Sequence, residues 1–150
     1  MRVGDICTRD AVRISLSASI RDAAETMRQY HVGAVVVVTE QSDGGCRPVG
    51  ILTDRDIVLS VVAKGVEAEN VTVADAMTTS IASCKASQGV FEAIDIMSAR
   101  SVRRLPVLDS GGRLVGVVSA DDIHALFSAK LCSLSEAMLH EQVREGELRV

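Results

Sequence analysis

The residues best placed to do chemistry lie in Gly50-Ile51-Leu52-Thr53-Asp54-Arg55-Asp56-Ile57, a short apolar strand that ends in a hydroxyl and carboxylates and turns into a helix. A second copy follows in Gly116-Val117-Val118-Ser119-Ala120-Asp121-Asp122-Ile123, with Gly, hydroxyl residue, Asp and Ile in register. A carboxylate can accept both hydrogen bonds of a ribose diol, and a helix N-terminus offers unpaired N–H groups to an anion. Such a constellation can hold a sugar and a phosphate. Acids also gather at helix starts because of the helix dipole, and on that ground Asp54 and Asp121 read as caps. Recurrence three residues after the hydroxyl singles out Asp56 and Asp122 as sugar ligands. Arg55, Arg103 and Arg104 are candidate phosphate partners, since a guanidinium presents paired donors to a phosphate.

The elements that must position these groups also occur twice. A shift of 70 residues lays Val3 on Val73, Ala23 on Ala93, Met27 on Met97 and Val37 on Val107. Past the next turn the shift becomes 66, laying Gly50 on Gly116 and Asp56 on Asp122. The difference, 70 minus 66, puts four extra residues in the first copy, expected in an exposed turn at residues 41–46. In copy one, Ser19 followed three places on by Asp22 reads as a capping box, and Ile20, Ala23, Ala24 and Met27 recur at helical spacing up to Tyr30. Residues 35–38 and 48–52 are short β-branched runs without alternation, which suits buried strands. A second helix with Ile57, Val58, Val61 and Val62 on its apolar face stops at Lys64-Gly65. Copy two repeats the order, and its last helix carries Ile123, Leu126, Phe127, Leu131, Leu134 and Met138. Ser133-Leu134-Ser135-Glu136 could cap a separate helix, and the charged end from Glu141 is expected to fray.

The expected fold is therefore α/β (α+β): tandem β-α-β-β-α repeats with pseudo-two-fold symmetry, their small sheets packed on helices. The expected boundaries are repeat one at 1–64, a linker at 65–72, repeat two at 73–133 and a helical extension or tail at 134–150. Each repeat alone is too small to bury a convincing core, so the two are expected to pack together.

The 150 residues are 47% hydrophobic with two Phe, one Tyr and no Trp, so the core is aliphatic and no stacking platform for bases is visible. A net charge of −4 argues against nucleic acid as the main partner, which needs a basic face. No apolar run reaches bilayer length and no secretory pattern opens the chain, which places the protein in the cytoplasm and off the membrane. Cys7, Cys46, Cys84 and Cys132 have neither zinc nor disulfide spacing, and Cys46, in a Gly-rich turn, is the one expected to be most exposed. No metal site is expected. His31, His124 and His140 lack partners at ligand spacing and read as structural or solvated. No nucleophile has a base beside it and no Gly-rich phosphate loop is present, so no catalytic residue is assigned and the chain is expected not to be an enzyme.

With its doubled Gly-apolar-apolar-Thr/Ser-x-x-Asp motif and the segment Ser101-Val102-Arg103-Arg104-Leu105-Pro106-Val107, the chain resembles a tandem pair of CBS (cystathionine β-synthase) domains, the Bateman module, over nearly its whole length. The first copy departs from the pattern at Val32-Gly33-Ala34-Val35-Val36, which has no counterpart of Pro106 or of the two arginines. The resemblance implies a stand-alone regulatory module. It would bind AMP, ADP or ATP, with NAD or S-adenosylmethionine as alternatives, in clefts between the repeats, and signal by a conformational or assembly change. It also implies Asp56 and Asp122 on the ribose, Thr53 and Ser119 on phosphate, and Val32, Gly33 and Ala34 or Val102, Arg103 and Arg104 beside the adenine or phosphates. It suggests a disc-like homodimer, a state that the apolar residues Val58, Val62, Leu126, Phe127, Leu131, Leu134 and Met138 also favour. A scaffold for an unidentified protein partner, with degenerate nucleotide sites, is the alternative of a different class.

Overall fold

The structure is a computed structural model and describes residues 1–148. The elements run α1 (Val3–Ile6), β1 (Arg13–Ser15), α2 (Ile20–Tyr30), β2 (Ala34–Glu40), β3 (Cys46–Thr53), α3 (Asp54–Ile57), α4 (Val73–Ala76), β4 (Cys84–Lys85), α5 (Val90–Arg100), β5 (Arg104–Leu108), β6 (Leu114–Ser119) and α6 (Ala120–Leu148). Two three-stranded sheets result, β1-β2-β3 and β4-β5-β6. In each, the first strand runs parallel to the second and the second antiparallel to the third. The mixed α/β architecture expected from the repeat is what the chain adopts.

Local sequence explains the long helices. Ser19 accepts from the Asp22 N–H while Asp22 accepts from Ser19, the reciprocal box that the spacing predicts. At the far end His31 adopts a left-handed conformation, φ 53°, and its N–H closes onto Met27 and Arg28 carbonyls. Ser101 does the same for α5. Buried faces carry Ile20, Ala23 and Met27 on α2 and Val90, Ala93 and Met97 on α5, at the 3–4 spacing that lets one stripe meet a sheet. Full burial of a side chain such as Ile20, Leu52 or Leu105 contributes about 2 kcal/mol.

Three findings differ from the sequence reading. The four extra residues of copy one do not lengthen the turn: residues 41–45 and 109–113 are turns of equal length. Instead β2 and β3 hold 7 and 8 residues where β5 and β6 hold 5 and 6, so the first hairpin is longer by two residues per strand. The last helix is continuous to Leu148, with no break at residues 133–136. Ser133 and Ser135 donate back to the carbonyls of Ala129 and Leu131, which satisfies their hydroxyls without a cap. The frayed end expected from Glu141 is helical as far as Leu148, and residues 149–150 lie outside the described residues. The second helix of copy one, by contrast, is a single α-turn, α3, followed by a π-helical turn at Val58–Val62.

Third, the halves of the sequence exchange their opening turns. Val3 of α1 is buried among Val90, Ala93, Leu105, Val118 and Ile123 of the second repeat, whereas Val73 of α4 is buried among Ile20, Ala23, Val35 and Leu52 of the first. Backbone bonds fix the exchange: Val3 N–H to Gln88 and Gly4 N–H to Ala86 on one side, Val73 N–H to Ala18 and Ala74 N–H to Leu16 on the other.

Candidate functional site

The exchanged turns deliver the floor of a cleft. After α1, Thr8 pairs with Val117 of β6 through two backbone hydrogen bonds of 2.9 and 3.0 Å, and four residues later the Val12 carbonyl accepts from Val36 of β2. The segment 8–12 thus crosses from one sheet to the other. This crossing also explains the motif glycine. A Cβ on Gly116 would lie 2.6 Å from the Thr8 carbonyl oxygen, and one on Gly50 would lie 2.5 Å from Met77 Sδ and 3.0 Å from the Thr78 carbonyl oxygen.

Above the floor opens a cleft of about 300 Å³ between the repeats. Repeat one supplies His31, Val32, Gly33, Ala34 and Val36 from the end of α2 into β2, with Ile51 of β3. Repeat two supplies Arg104 and Pro106 of β5, Val117 and Ser119 of β6, and Asp122 of α6. Ser119 stands opposite Arg104 in the antiparallel register, which is why hydroxyl and guanidinium share one wall. The remaining lining from the floor is Thr8, Asp10, Ala11 and Val12.

Of the residues singled out in the sequence, the fold therefore brings together Val32, Gly33 and Ala34 from one copy with Arg104, Ser119 and Asp122 from the other. Val102 and Arg103 do not join them. They border a separate hollow with Ile94, Ile123 and Phe127, between α5 and α6. Arg103 also pairs with Asp121 at 3.0 Å, both side chains being largely exposed. Thr53, Arg55 and Asp56 lie outside the lining of this cleft, Thr53 standing opposite Ala34 in the first sheet. Sequence reasoning missed Thr8, Asp10 and His31. The 70-residue shift lays Thr8 on Thr78, a signal that reaches the floor segment; nothing in one strand's pattern shows that the floor serves the opposite repeat.

The hydroxyl-x-x-Asp motif closes on itself. Ser119 N–H and Oγ–H both donate to Asp122 Oδ2, at 2.8 and 2.6 Å, and Asp122 N–H donates to Ser119 Oγ at 3.1 Å. Thr53 and Asp56 repeat the arrangement at 2.9, 2.8 and 3.2 Å. Both are capping boxes. The cap role expected of Asp54 and Asp121 thus belongs to Asp56 and Asp122, because only the third helical residue can reach back to the N-cap amide. Asp54 instead accepts from its neighbour's Arg55 N–H. Among the described residues Asp122 Oδ1 takes no hydrogen bond, so one carboxylate oxygen remains to accept from a ligand. The Ser119 hydroxyl proton is committed to Asp122, and Arg104, in no ion pair among the described residues, is the cation lining the cleft with its donors unspent.

Elsewhere the thiols are separated by burial. Cys84 is buried, and desolvation, with a smaller contribution from Cys7, pushes its thiol up to about 11. Cys132, not Cys46, is the exposed one, since α6 carries it beyond the packed part of the second repeat. Among the described residues no three His, Cys, Asp or Glu side chains converge as a metal site, and no helix is long and apolar enough to cross a membrane.

Two pseudo-symmetric β-α-β-β-α units that interlock and share a cleft define a tandem-repeat α/β module. The CBS domain pattern matches residues 3–63 and 73–128, and the chain belongs to the CBS domain family. The CBS domain-containing protein YhcV of Bacillus subtilis is 34% identical over 121 residues, 81% of each chain. The structure is similar to the CBS domain pair of protein MJ0100 in complex with 5′-methylthioadenosine and S-adenosyl-L-methionine, with TM-score 0.73, 25% identity and coverage of 87% of this chain and 98% of that one. It is also similar to Hypoxic Response Protein I with two coordinated zinc ions, with TM-score 0.70, 29% identity and coverage of 83% and 98%.

Proposed function

We propose that the chain is a non-enzymatic regulatory module that takes an adenosine-containing ligand into the cleft between its repeats. One observation carries this reading: one cleft joins an apolar wall (Val32, Ala34, Val36, Ile51, Pro106) to Asp122, one of whose carboxylate oxygens has no partner among the described residues, and to Arg104, whose guanidinium forms no ion pair among them. A flat base buries itself between the apolar walls, the ribose hydroxyls donate to Asp122, and a phosphate takes the paired donors of Arg104. The adenosine compounds held by the MJ0100 pair support the choice of base. Binding that draws the two walls together biases one arrangement of the interlocked repeats, and this is the signal.

Calorimetric titration with AMP, ADP, ATP, NAD and S-adenosylmethionine tests the reading. At least one binds, and Asp122→Asn weakens it about tenfold or more, while Asp56→Asn, outside the cleft, changes it less than threefold. Absence of binding by all five to ligand-free protein rejects the proposal. A scaffold reading draws on repeat one, whose segment 32–36 carries no arginine and whose Thr53 and Asp56 serve a cap. It gains if a protein partner is retained by an Asp122→Asn variant that no longer binds nucleotide.

A homodimer belongs to the same proposal. Leu131, Leu134 and Met138 are 64, 59 and 57% exposed along α6 at spacings of three and four, a seam that a second copy can cover.

A further inference from the structure

Resting on that reading, we propose that the cleft selects adenosine carrying a single phosphate over the di- and triphosphates, with Asp10 as the discriminating residue. The charges lining the cleft are few. Arg104 is the one Lys or Arg side chain, Asp10 and Asp122 are two carboxylates, and His31 is the remaining titratable group. One guanidinium presents one fork of donors, which one phosphate saturates.

A second and third phosphate find no comparable partner. Of the first amides of α6, Ala120 N–H is bonded to the Arg103 carbonyl and Asp122 N–H to Ser119 Oγ, and Asp121, whose N–H has no partner among the described residues, does not line the cleft. The Ser119 hydroxyl donates to Asp122 Oδ2 and accepts from Asp122 N–H, so its proton is not available to a phosphate. Gly33 and Ala34 stand where the second copy has Arg103 and Arg104, so repeat one adds no cation to this wall.

Asp10 adds the opposing charge. It lies on the floor segment, lines the cleft, and has no ion-pair partner within 4 Å among the described residues. At its place under the 70-residue shift the second copy has the neutral Ser80. Arg9 and Arg13 precede and follow Asp10 in sequence and share with it, Ala11, Val12 and Tyr30 an adjoining hollow, but neither arginine lines the cleft. A polyphosphate tail extending past Arg104 toward the floor therefore meets a carboxylate that forms no ion pair among the described residues. Near a surface of high dielectric each added negative charge close to it weakens binding by about three- to fivefold.

Titrating the full chain with adenosine, AMP and ATP in EDTA at pH 7.5, at low and at physiological salt, tests the proposal. AMP binds about tenfold tighter than ATP at low salt, the gap narrows in salt, and Asp10→Asn closes it to under threefold by strengthening ATP more than AMP. Arg104→Gln weakens AMP and spares adenosine, and Arg9→Ala leaves the order as it is. ATP binding as tightly as AMP to the unaltered chain overturns the proposal, as does a gap that survives Asp10→Asn. Binding of adenosine or S-adenosylmethionine without AMP overturns it while leaving the adenosine reading intact. No binding by any of them rejects that reading, and this inference with it. Melting curves confirm that Asp10→Asn, an exposed position, folds normally.

Discussion

At the residue scale, the carboxylates that matter to stability are those that reach back to a backbone amide. Asp22 is held below the usual carboxylate range first by the Ser19 hydroxyl and then by its amide, and Asp75 by Thr72 in the same order. Their folded-state pKa values lie below the unfolded ones, so their contribution is complete above about pH 4 and is lost as pH falls through the lower, folded value. Melting temperature followed by circular dichroism therefore holds level from pH 7 to 5 as far as these groups are concerned, and drops below about pH 4. The Asp22→Asn, Asp75→Asn variant starts lower and falls less steeply. A variant that falls as steeply as the parent shows that other groups govern the acid transition. At this scale the motif was legible and its division of labour was not. Thr53, Asp56, Ser119 and Asp122 stand out by recurrence, but a hydroxyl and an acid three residues apart satisfy each other first, and of the two pairs only Ser119 and Asp122 line the cleft.

At the scale of elements, strands and long helices were readable because their signals are local: Ser19 with Asp22, the β-branched runs, Gly65 after the second helix. The hairpin extension was misplaced for a reason of the same kind. An insertion of polar residues reads as loop, yet two residues added to each side of an antiparallel pair keep every ladder bond and cost no turn. The exchange of α1 and α4 was not legible at all, since Val3 meets partners as distant in sequence as Val90 and Ile123 and a buried Val carries no label saying whose core it joins. This exchange makes a directional prediction. Val3→Ala costs about 2 kcal/mol and lowers hydrogen-exchange protection in α5, β5 and β6 of the second repeat, with α2 and β2 of the first spared. Protection lost instead in α2 and β2 contradicts the exchanged packing.

For the molecule as a whole, the large exposed apolar side chains lie mostly on helices and outside the cleft lining. Val58, Leu59 and Val62 on the π-helical turn and Leu131, Leu134 and Met138 on α6 are exposed, and Phe91, 72% exposed, stacks on Phe127 at 5.8 Å. Sedimentation at micromolar concentration is expected to give a dimer mass, and Leu131→Glu with Leu134→Glu is expected to give a monomer with an unchanged circular dichroism spectrum. A monomer in the unaltered chain refutes the proposed seam. Because none of these residues lines the cleft, nucleotide titrations of the monomeric variant also separate binding from assembly.

The exchanged turns also impose an order on biogenesis. As the chain leaves the ribosome, the first repeat is missing Val73 when its own last strand and helix have emerged, so its core stays open until the linker and α4 are outside. The second repeat, by contrast, finds its missing piece, α1, already synthesised and waiting, unpaired, from the start. The nascent first half must therefore keep a short apolar turn in reserve until residues as far on as Val118 and Ile123 are made, and the cleft comes into existence only when the last core closes.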